Sequence, residues 1–221
     1  MVLMFTVAAQ AADLSVGAST WYSWWRFEER DRTRSIDPSF LYGPVLALGF
    51  GGGWSVSTVF LYGRFKMEED DGVSSKINRY DSDTALNYSI NRYIKLFAGP
   101  KFMGYTMSRR SFSHIAVGPA LGIGITLPLS DSLFLLWNLS GVYLFGEHEQ
   151  EDSGVKDSSD YTEPGVNTNL SLAWYIESAS TTLTMGFRYQ RFNTYYAEDG
   201  WYDMTHQFYG ITLSAVYAFA L

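Results

Sequence analysis

The stretch 114–147 constrains the fold more than any other part of the chain. It contains two long alternating segments, HIAVGPALGIGITLPL and SLFLLWNLSGVYLFGE, separated by Ser130 and Asp131. In the first segment the odd positions are apolar and the even positions are small or polar. This period-two alternation predicts extended strands with one apolar face. Strands of soluble sheets usually run about 5–6 residues. The strands predicted here are more than twice that long, which indicates that their apolar faces span a thick apolar layer.

Ten segments share this alternation and are predicted strands, with expected ranges 13–28, 38–50, 54–67, 77–90, 93–107, 114–127, 132–147, 165–177, 181–195 and 204–221. Short connections follow the even-numbered segments, whereas the connections at 68–76 and 148–163 are long and charged. This arrangement is typical of membrane barrels, and a closed barrel satisfies every backbone group in hydrocarbon. The sequence therefore predicts an all-β fold, a closed antiparallel up-and-down transmembrane β-barrel of about ten strands. Its turns are expected to be short on the periplasmic side and its loops longer on the extracellular side.

The direction of the apolar face separates this fold from a soluble lipocalin-like barrel or sandwich. A soluble barrel would have to enclose the apolar faces of all ten strands. The volume of those side chains exceeds the space in so small a lumen. Small and polar residues are therefore predicted to face inward. Aromatic residues are predicted to form two girdles at the membrane interfaces. The girdle near the long loops comprises Trp24, Tyr62, Tyr105, Tyr143, Phe145 and Tyr189, and the one near the short turns comprises Phe50, Trp54, Tyr88, Trp174, Tyr217 and Phe219.

Residues 1–11 are predicted to be the remnant of a secretory signal peptide, which leaves 12–221 as the barrel domain. An apolar run precedes the small-x-small pattern Ala9-Gln10-Ala11, as at a signal cleavage site. The chain has no cysteine, so disulfides and cysteine-based sites are excluded. Its net charge of −7 argues against nucleic acid as a partner. The expected partner is a lipid bilayer, and the oligomeric state stays open.

A weak repeat relates two predicted strands. Gly43-Pro44 and the residues after it align with Gly118-Pro119 at an offset of 75 residues. Proline cannot donate to a β-ladder and is normally excluded from sheet interiors. The sequence therefore predicts a local β-bulge at each of these Gly-Pro steps.

These features together resemble the small bacterial outer-membrane β-barrel proteins. The resemblance rests on the signal-like start, the ten strands, the girdles and the final strand ending Tyr217-x-Phe219-x-Leu221. It implies a Gram-negative outer-membrane location and insertion by the barrel-assembly machinery, which is thought to read an alternating aromatic C-terminal strand. Family members typically end in Phe, whereas this chain ends in Leu. The resemblance concerns architecture and identifies no subfamily.

Charged residues on inward faces are the first candidates for function. The predicted lumen-lining set is Arg79, Asp81, Asp83, Lys95, Lys101 and Arg188, accompanied by Asn87, Asn138 and Gln190. One interpretation is a polar plug whose charges satisfy one another. The other is a charge-lined, porin-like constriction for small solutes. The expected role is thus a structural or surface-exposed barrel or a narrow channel, without enzymatic activity.

A membrane-embedded hydrolase is the alternative. Asp81-x-Asp83 with Asp203 and His206 resembles the omptin proteases, ten-stranded barrels in which two acidic residues face an Asp-His pair that activates water. Here Asp203 and His206 are three positions apart rather than two. Ser113-His114 similarly resembles part of a lipid A deacylase site, without the surrounding motif. A histidine beside a carboxylate can act as a general base.

The acidic stretch 147–163 contains seven acidic residues against Lys156. Such runs are usually solvated loops, and the stretch lacks the ligand spacing of an EF-hand. His148, taken alone, does not form a ligand set. The sequence therefore predicts no metal site and no cofactor.

Overall fold

The computed structural model describes residues 13–30, 32–68, 74–107, 112–152, 155–198 and 201–220. The predicted signal remnant at 1–11 and the terminal Leu221 lie outside these residues. The strands are β1 Asp13–Glu29, β2 Arg32–Gly51, β3 Trp54–Glu68, β4 Ser74–Ser89, β5 Ile94–Met107, β6 Phe112–Pro128, β7 Leu133–Asp152, β8 Val155–Ile176, β9 Thr181–Tyr196 and β10 Met204–Ala220.

The ten strands form one closed antiparallel barrel. Each strand pairs with its sequence neighbours, and β1 also pairs with β10 from Asp13↔Ala220 to Glu29↔Met204. A 3-10 turn at Glu177–Ala179 joins β8 to β9. Among the described residues, no helix is long and apolar enough to cross a membrane. We call the end where β1 begins and β10 ends the basal end, and the opposite end the distal end.

The outer face of the barrel is an apolar band. All ten strands contribute large hydrophobic side chains that remain exposed, from Val16 on β1 to Phe219 on β10. On β6 the odd residues point outward as predicted, and Leu121 is 68% exposed. A continuous apolar surface of this size is stable only against lipid or another apolar partner. The band therefore marks the part of the barrel that lies in a bilayer.

Three strands extend at least five residues further toward the distal end than the sequence predicted. β2 begins at Arg32, β7 continues to Asp152 and β8 begins at Val155. The prediction of a long loop at 148–163 is therefore wrong, since β7 and β8 stay paired up to Asp152↔Val155. Their ladder extends beyond the apolar band, where outward residues are polar and the alternation of hydrophobicity fades. Because both faces of these distal segments are mostly polar, the sequence pattern predicted a loop there.

The Gly-Pro steps do not form the predicted bulges. The registers of β2 and β6 with both neighbouring strands continue unchanged across Gly43-Pro44 and Gly118-Pro119. A side chain at Gly118 would collide with the backbone carbonyl of Tyr143 on β7. Glycine thus allows close approach of the next strand beside a proline that cannot donate to the ladder.

The bulge lies at another proline. Ser23 pairs with Ser39 and Trp25 pairs with Ile36, so the pairing of β1 with β2 shifts by one residue between them. Two residues of β2, at 37–38, lie within this shift and include a proline. Because a one-residue shift exchanges the two faces of a strand, the even-numbered Ile36 points into the barrel and is buried.

We expect Gly118→Val to destabilise the barrel by about 1–3 kcal/mol, the usual cost of forcing extra atoms into a packed site. The urea midpoint of the protein in detergent micelles, followed by tryptophan fluorescence, measures this change. Gly141→Val is the matched control, because a Cβ at Gly141 meets nothing within 4 Å. Equal midpoints for the two variants would contradict the close-approach explanation.

The sequence predicted a lumen lined by small and polar residues, and this prediction is incomplete. Its distal half is filled by large apolar side chains that are almost completely buried, among them Trp21, Phe65, Met103, Leu144, Phe192 and Phe208. Tyr105, predicted to lie in an interface girdle, is also inside and only 3% exposed. The barrel therefore has a hydrophobic core of its own, and the functional groups lie within and above it.

Candidate functional site

A network of ion pairs crosses the lumen from β4 and β5 to β9. Strand alternation directs Arg79, Asp81 and Asp83 inward from β4, and the same alternation directs Lys101 inward from β5. Arg188 reaches them from β9 on the other side of the barrel. We call these five residues the ion-pair layer. Three cations and two carboxylates meet there, so the layer carries one unbalanced positive charge.

Every carboxylate oxygen in the ion-pair layer accepts a hydrogen bond from a cation. Asp81 Oδ1 lies 3.1 Å from Lys101 Nζ and 3.2 Å from Arg188 Nη2, and its Oδ2 lies 3.1 Å from Arg79 Nη2. Asp83 Oδ1 lies 3.1 Å from Lys101 Nζ, while its Oδ2 pairs with Arg188. Asp81 is 1% exposed. Buried ions are tolerated only when paired in this way.

Aromatic rings complete the ion-pair layer. The Arg79 guanidinium lies 3.2 Å from the centroid of the Phe208 ring, and Arg188 lies 4.8 Å from that of Trp21. Arg79 Nη2 also donates to Gln190 Oε1 at 3.0 Å. Cations over aromatic faces gain electrostatic energy while the rings fill space. The cross-section of the lumen at this level is thus occupied by paired charges and rings.

The remaining residues singled out from the sequence lie elsewhere. Lys95 is half-buried nearer the basal end, with Nζ 5.8 Å from the centroid of the Phe97 ring. Asp203 is exposed just before β10, whereas His206 is buried on β10. The predicted Asp203–His206 pair is therefore divided between solvent and the barrel interior.

All three histidines of the chain meet in one buried cluster. His114 on β6, His148 on β7 and His206 on β10 are each at most 2% exposed. Glu163 on β8 joins them, with Oε1 3.5 Å from His114 Nε2. We call these four residues the histidine cluster. It lies on the distal side, where register pairs Tyr105 with His114 and His114 with His148.

Tyrosines hold the imidazoles in place. His114 is stacked between Tyr105 and Tyr161, with ring centroids 4.4 and 4.2 Å away and interplanar angles of 15° and 18°. The hydroxyl of Tyr105 lies 3.1 Å from His206 Nε2, and that of Tyr196 lies 2.9 Å from His148 Nδ1. Both faces of His114 and one nitrogen of each other histidine are thus fixed by phenols.

Several buried polar atoms of the histidine cluster lack a hydrogen-bond partner among the described residues. His114 Nε2, His148 Nε2, His206 Nδ1 and Glu163 Oε2 have no hydrogen-bond partner within the described part of the chain. Glu163 Oε1 accepts a hydrogen bond from Thr194 at 2.7 Å. Most buried polar groups in proteins have a partner, so a concentration of orphans calls for an explanation.

A cavity of about 770 Å³ occupies the distal mouth of the barrel, and we call it the vestibule. His148 and His206 line it, so the histidine cluster forms part of its inner surface. Its apolar wall includes Trp25, Phe27, Met67, Met107 and Phe112, and its lining also includes the exposed acids Glu29, Asp157 and Glu198. Cavities of about 300–1,000 Å³ with apolar walls and a few polar groups are typical of small-molecule sites.

Sequence reasoning missed the histidine cluster because it assigned His148 and Glu163 to a loop. A signal was present in the spacing. Tyr161 and Glu163 are two residues apart, as are Gly146 and His148, and period-two spacing puts each pair on one strand face. Extending the alternation of β7 and β8 past the apolar band would have directed all four positions into the lumen.

Comparison with known proteins identifies the fold. No family model and no curated protein matches the sequence. The outer-membrane protease OmpT from Escherichia coli aligns with a TM-score of 0.64 at 8% identity, covering 96% of this chain and 98% of OmpT. The β domain of the Bordetella autotransporter BrkA aligns with a TM-score of 0.51 at 10% identity, covering 96% of this chain and all of that domain.

The fold is that of an outer-membrane β-barrel. At 8–10% identity the likeness extends to the fold alone. Together with the apolar band and the closed ten-stranded sheet, it makes this protein an integral outer-membrane barrel surrounded by lipid. The closed ten-stranded antiparallel barrel and the outer-membrane location predicted from the sequence are confirmed.

Proposed function

We propose that the protein is a non-conducting, surface-exposed outer-membrane barrel that binds a small ligand in the vestibule. The ion-pair layer carries this proposal, because it fills the lumen at mid-height while the vestibule above stays open. An apolar, aromatic-rich wall with acidic residues favours a ligand with an apolar body that is neutral or cationic. The basal end faces the periplasm in this arrangement, and the distal end faces outward.

The ion-pair layer favours a plug over a porin-like channel. In a channel, charged side chains project into water and exchange partners with the passing ions. Here Arg79, Asp81 and Lys101 are at most 1% exposed, and Asp81 forms ion pairs with both cations. Displacing them to admit a solute would leave buried charges unpaired, which is costly.

The same pairing disfavours the hydrolase alternative. A general base needs a lone pair directed at the proton that it removes. All four carboxylate oxygens of Asp81 and Asp83 already accept from cations. Together with the separation of Asp203 from His206, this leaves the omptin-like arrangement without its acidic pair.

Insertion by the outer-membrane assembly machinery belongs to the same proposal. The alternating aromatics Tyr217 and Phe219 near the end of β10 support it, and both are exposed on the lipid side of the barrel. Their ring centroids lie 4.5 Å apart, so they present one continuous aromatic surface.

Single-cysteine labelling tests the closed lumen and its orientation, since the chain has no cysteine of its own. Met204→Cys places a thiol in the vestibule, and Ser55→Cys places one in the lumen near the basal end. With a membrane-impermeant maleimide added to intact cells, we expect Met204→Cys to react and Ser55→Cys to stay unlabelled.

Permeabilised cells supply the control, because Ser55→Cys should then react from the periplasmic side. We also expect the unsubstituted protein to produce no conductance steps in planar bilayers. External labelling of Ser55→Cys at a rate comparable to Met204→Cys, or discrete conductance steps, would show an open lumen. Protection of Met204→Cys in intact cells would refute the outward-open vestibule.

A further inference from the structure

The histidine cluster brings together the side chains that transition metals prefer. One ligand atom from each of His114, Glu163 and His206 lies within 4.8 Å of one from each of the others. The three residues come from β6, β8 and β10, so the closed barrel, not a local motif, assembles them. Two imidazoles and a carboxylate are a common ligand set for Zn²⁺ and other first-row divalent ions.

The spacing of these atoms fits a coordination sphere after a small adjustment. Ligands at about 2.0–2.1 Å from a tetrahedral ion lie about 3.3 Å from one another. His114 Nε2 and Glu163 Oε1 are already 3.5 Å apart. Closing the widest separation of 4.8 Å to the tetrahedral value requires a displacement of about 1.5 Å. A displacement of this size is within the range of side-chain rotation and does not require the strands to move.

The hydrogen bonds leave ligand atoms free. His114 uses Nδ1 toward His148, at 3.3 Å, and His206 uses Nε2 toward the hydroxyl of Tyr105, at 3.1 Å. His114 Nε2 and His206 Nδ1 have no hydrogen-bond partner among the described residues, nor has Glu163 Oε2. A metal-binding histidine characteristically binds the ion through one nitrogen and a second partner through the other. An ion would therefore satisfy the atoms that the protein leaves unpaired.

The surrounding rings orient the ligands and leave a route for entry. The stacking of His114 between Tyr105 and Tyr161 fixes its ring plane. His206 lines the vestibule, whereas Glu163 lies behind it and is 0% exposed. An ion arriving from outside would thus meet a histidine first and then the buried carboxylate. A defined entry path and an ordered outer shell are both expected of a metal site.

We propose that His114, Glu163 and His206 bind one divalent transition-metal ion at the inner end of the vestibule, with Tyr105, His148 and Tyr196 as the outer shell. The site does not depend on whether the lumen is closed, because its residues lie on the distal side of the ion-pair layer. Closure and metal binding can therefore fail independently in their separate experiments.

Zinc binding by the purified protein tests this proposal. The full chain, without a polyhistidine tag, is stripped with EDTA in detergent micelles and titrated with Zn²⁺ by isothermal calorimetry. We expect the parent protein to bind one Zn²⁺ per chain. Glu163→Gln and His206→Phe should each weaken the affinity about tenfold or more, since changes around a metal site typically cost about 10–100-fold in affinity. Glu147→Gln, an exposed carboxylate on the same hairpin, is the matched control and should bind as the parent does.

Cobalt gives an independent readout that a purely structural cluster would not produce. Co²⁺ bound through two imidazoles and a carboxylate should show d–d absorption bands in the visible region that Zn²⁺ then abolishes by displacement. Failure of the stripped parent protein to bind Zn²⁺ stoichiometrically would overturn the proposal, whatever the folding of the variants. Weak binding of several ions that Glu163→Gln and Glu147→Gln reduce equally would also overturn it, since it would locate the ions on surface acids.

Discussion

Asp81→Asn is expected to destabilise the barrel by about 3–5 kcal/mol, the usual result of removing one partner from a buried ion pair. Asp81 accepts hydrogen bonds from Arg79, Lys101 and Arg188. With asparagine in its place, three buried cations would face the single carboxylate of Asp83. The amide keeps the size of the side chain but removes the charge, so the loss reports electrostatics and not packing.

Equilibrium unfolding in urea, with the protein in detergent micelles and tryptophan fluorescence as the signal, measures this loss. Asp131→Asn is the matched control, because Asp131 is an exposed acid in the turn between β6 and β7. It should change stability by less than about 0.5 kcal/mol, as most surface substitutions do. A loss below about 1 kcal/mol for Asp81→Asn, within the range of exposed pairs, would contradict the assignment of a buried ion-pair layer.

Adding Lys101→Met to the Asp81→Asn variant should recover part of the loss. The double variant removes one of the uncompensated cations, and methionine fills a similar volume. The combined destabilisation should therefore be smaller than the sum of the two single values, as is common for residues of one network. Strict additivity would show that Asp81 and Lys101 do not act together.

The lipid side of the barrel was predictable because the requirement that lipid imposes is visible along each single strand. A strand that faces hydrocarbon must be apolar at every second position, and β6 shows this from Ile115 to Leu127 without interruption. The same rule located all ten strands and placed Arg79, Asp81 and Lys101 on inward faces. Pairing with the next strand then followed from the short connections.

The filling of the lumen was not predictable in the same way. On β1 both faces are aromatic, with Trp21 and Trp25 inside and Tyr22 and Trp24 on the opposite face. Alternation carries no information when both faces are large and apolar. The one-residue shift between β1 and β2 then exchanges the faces of β2, which brings Ile36 inside. A period-two pattern read straight through this shift assigns the distal part of β2 to the wrong side.

Spacing along each strand could direct the histidines inward, but it could not show that they meet in one cluster. His114 and His206 are 92 positions apart (206 − 114) and meet only because the barrel closes between β1 and β10. Catalytic and metal motifs that sequence reading recognises are usually local, with ligands a few residues apart on one element. Here each ligand comes from a different strand, and inter-strand register decides which residues share a level.

Trp21→Ala is expected to lower the free energy of unfolding by about 3–5 kcal/mol, the typical cost of truncating a buried tryptophan. Trp21 is 0% exposed, and its ring lies 4.8 Å from the Arg188 guanidinium and 5.6 Å from that of Arg79. The substitution leaves a hole lined by these cations, which water can enter. The plug should therefore leak, and discrete conductance steps should appear in planar bilayers where the parent protein is silent.

Trp174→Ala is the control that separates the two effects, since Trp174 is 53% exposed on the lipid face of β8 and makes no contribution to the lumen lining. It should lose less stability than Trp21→Ala and leave the bilayer silent. The sign of charge selectivity supplies a further check, because a pore lined by Arg79 and Arg188 should pass anions in preference to cations. If Trp21→Ala unfolds as the parent does and carries no current, the ring is not what seals the ion-pair layer. The paired charges alone would then have to close the lumen, and Asp81→Asn would be the variant that opens it.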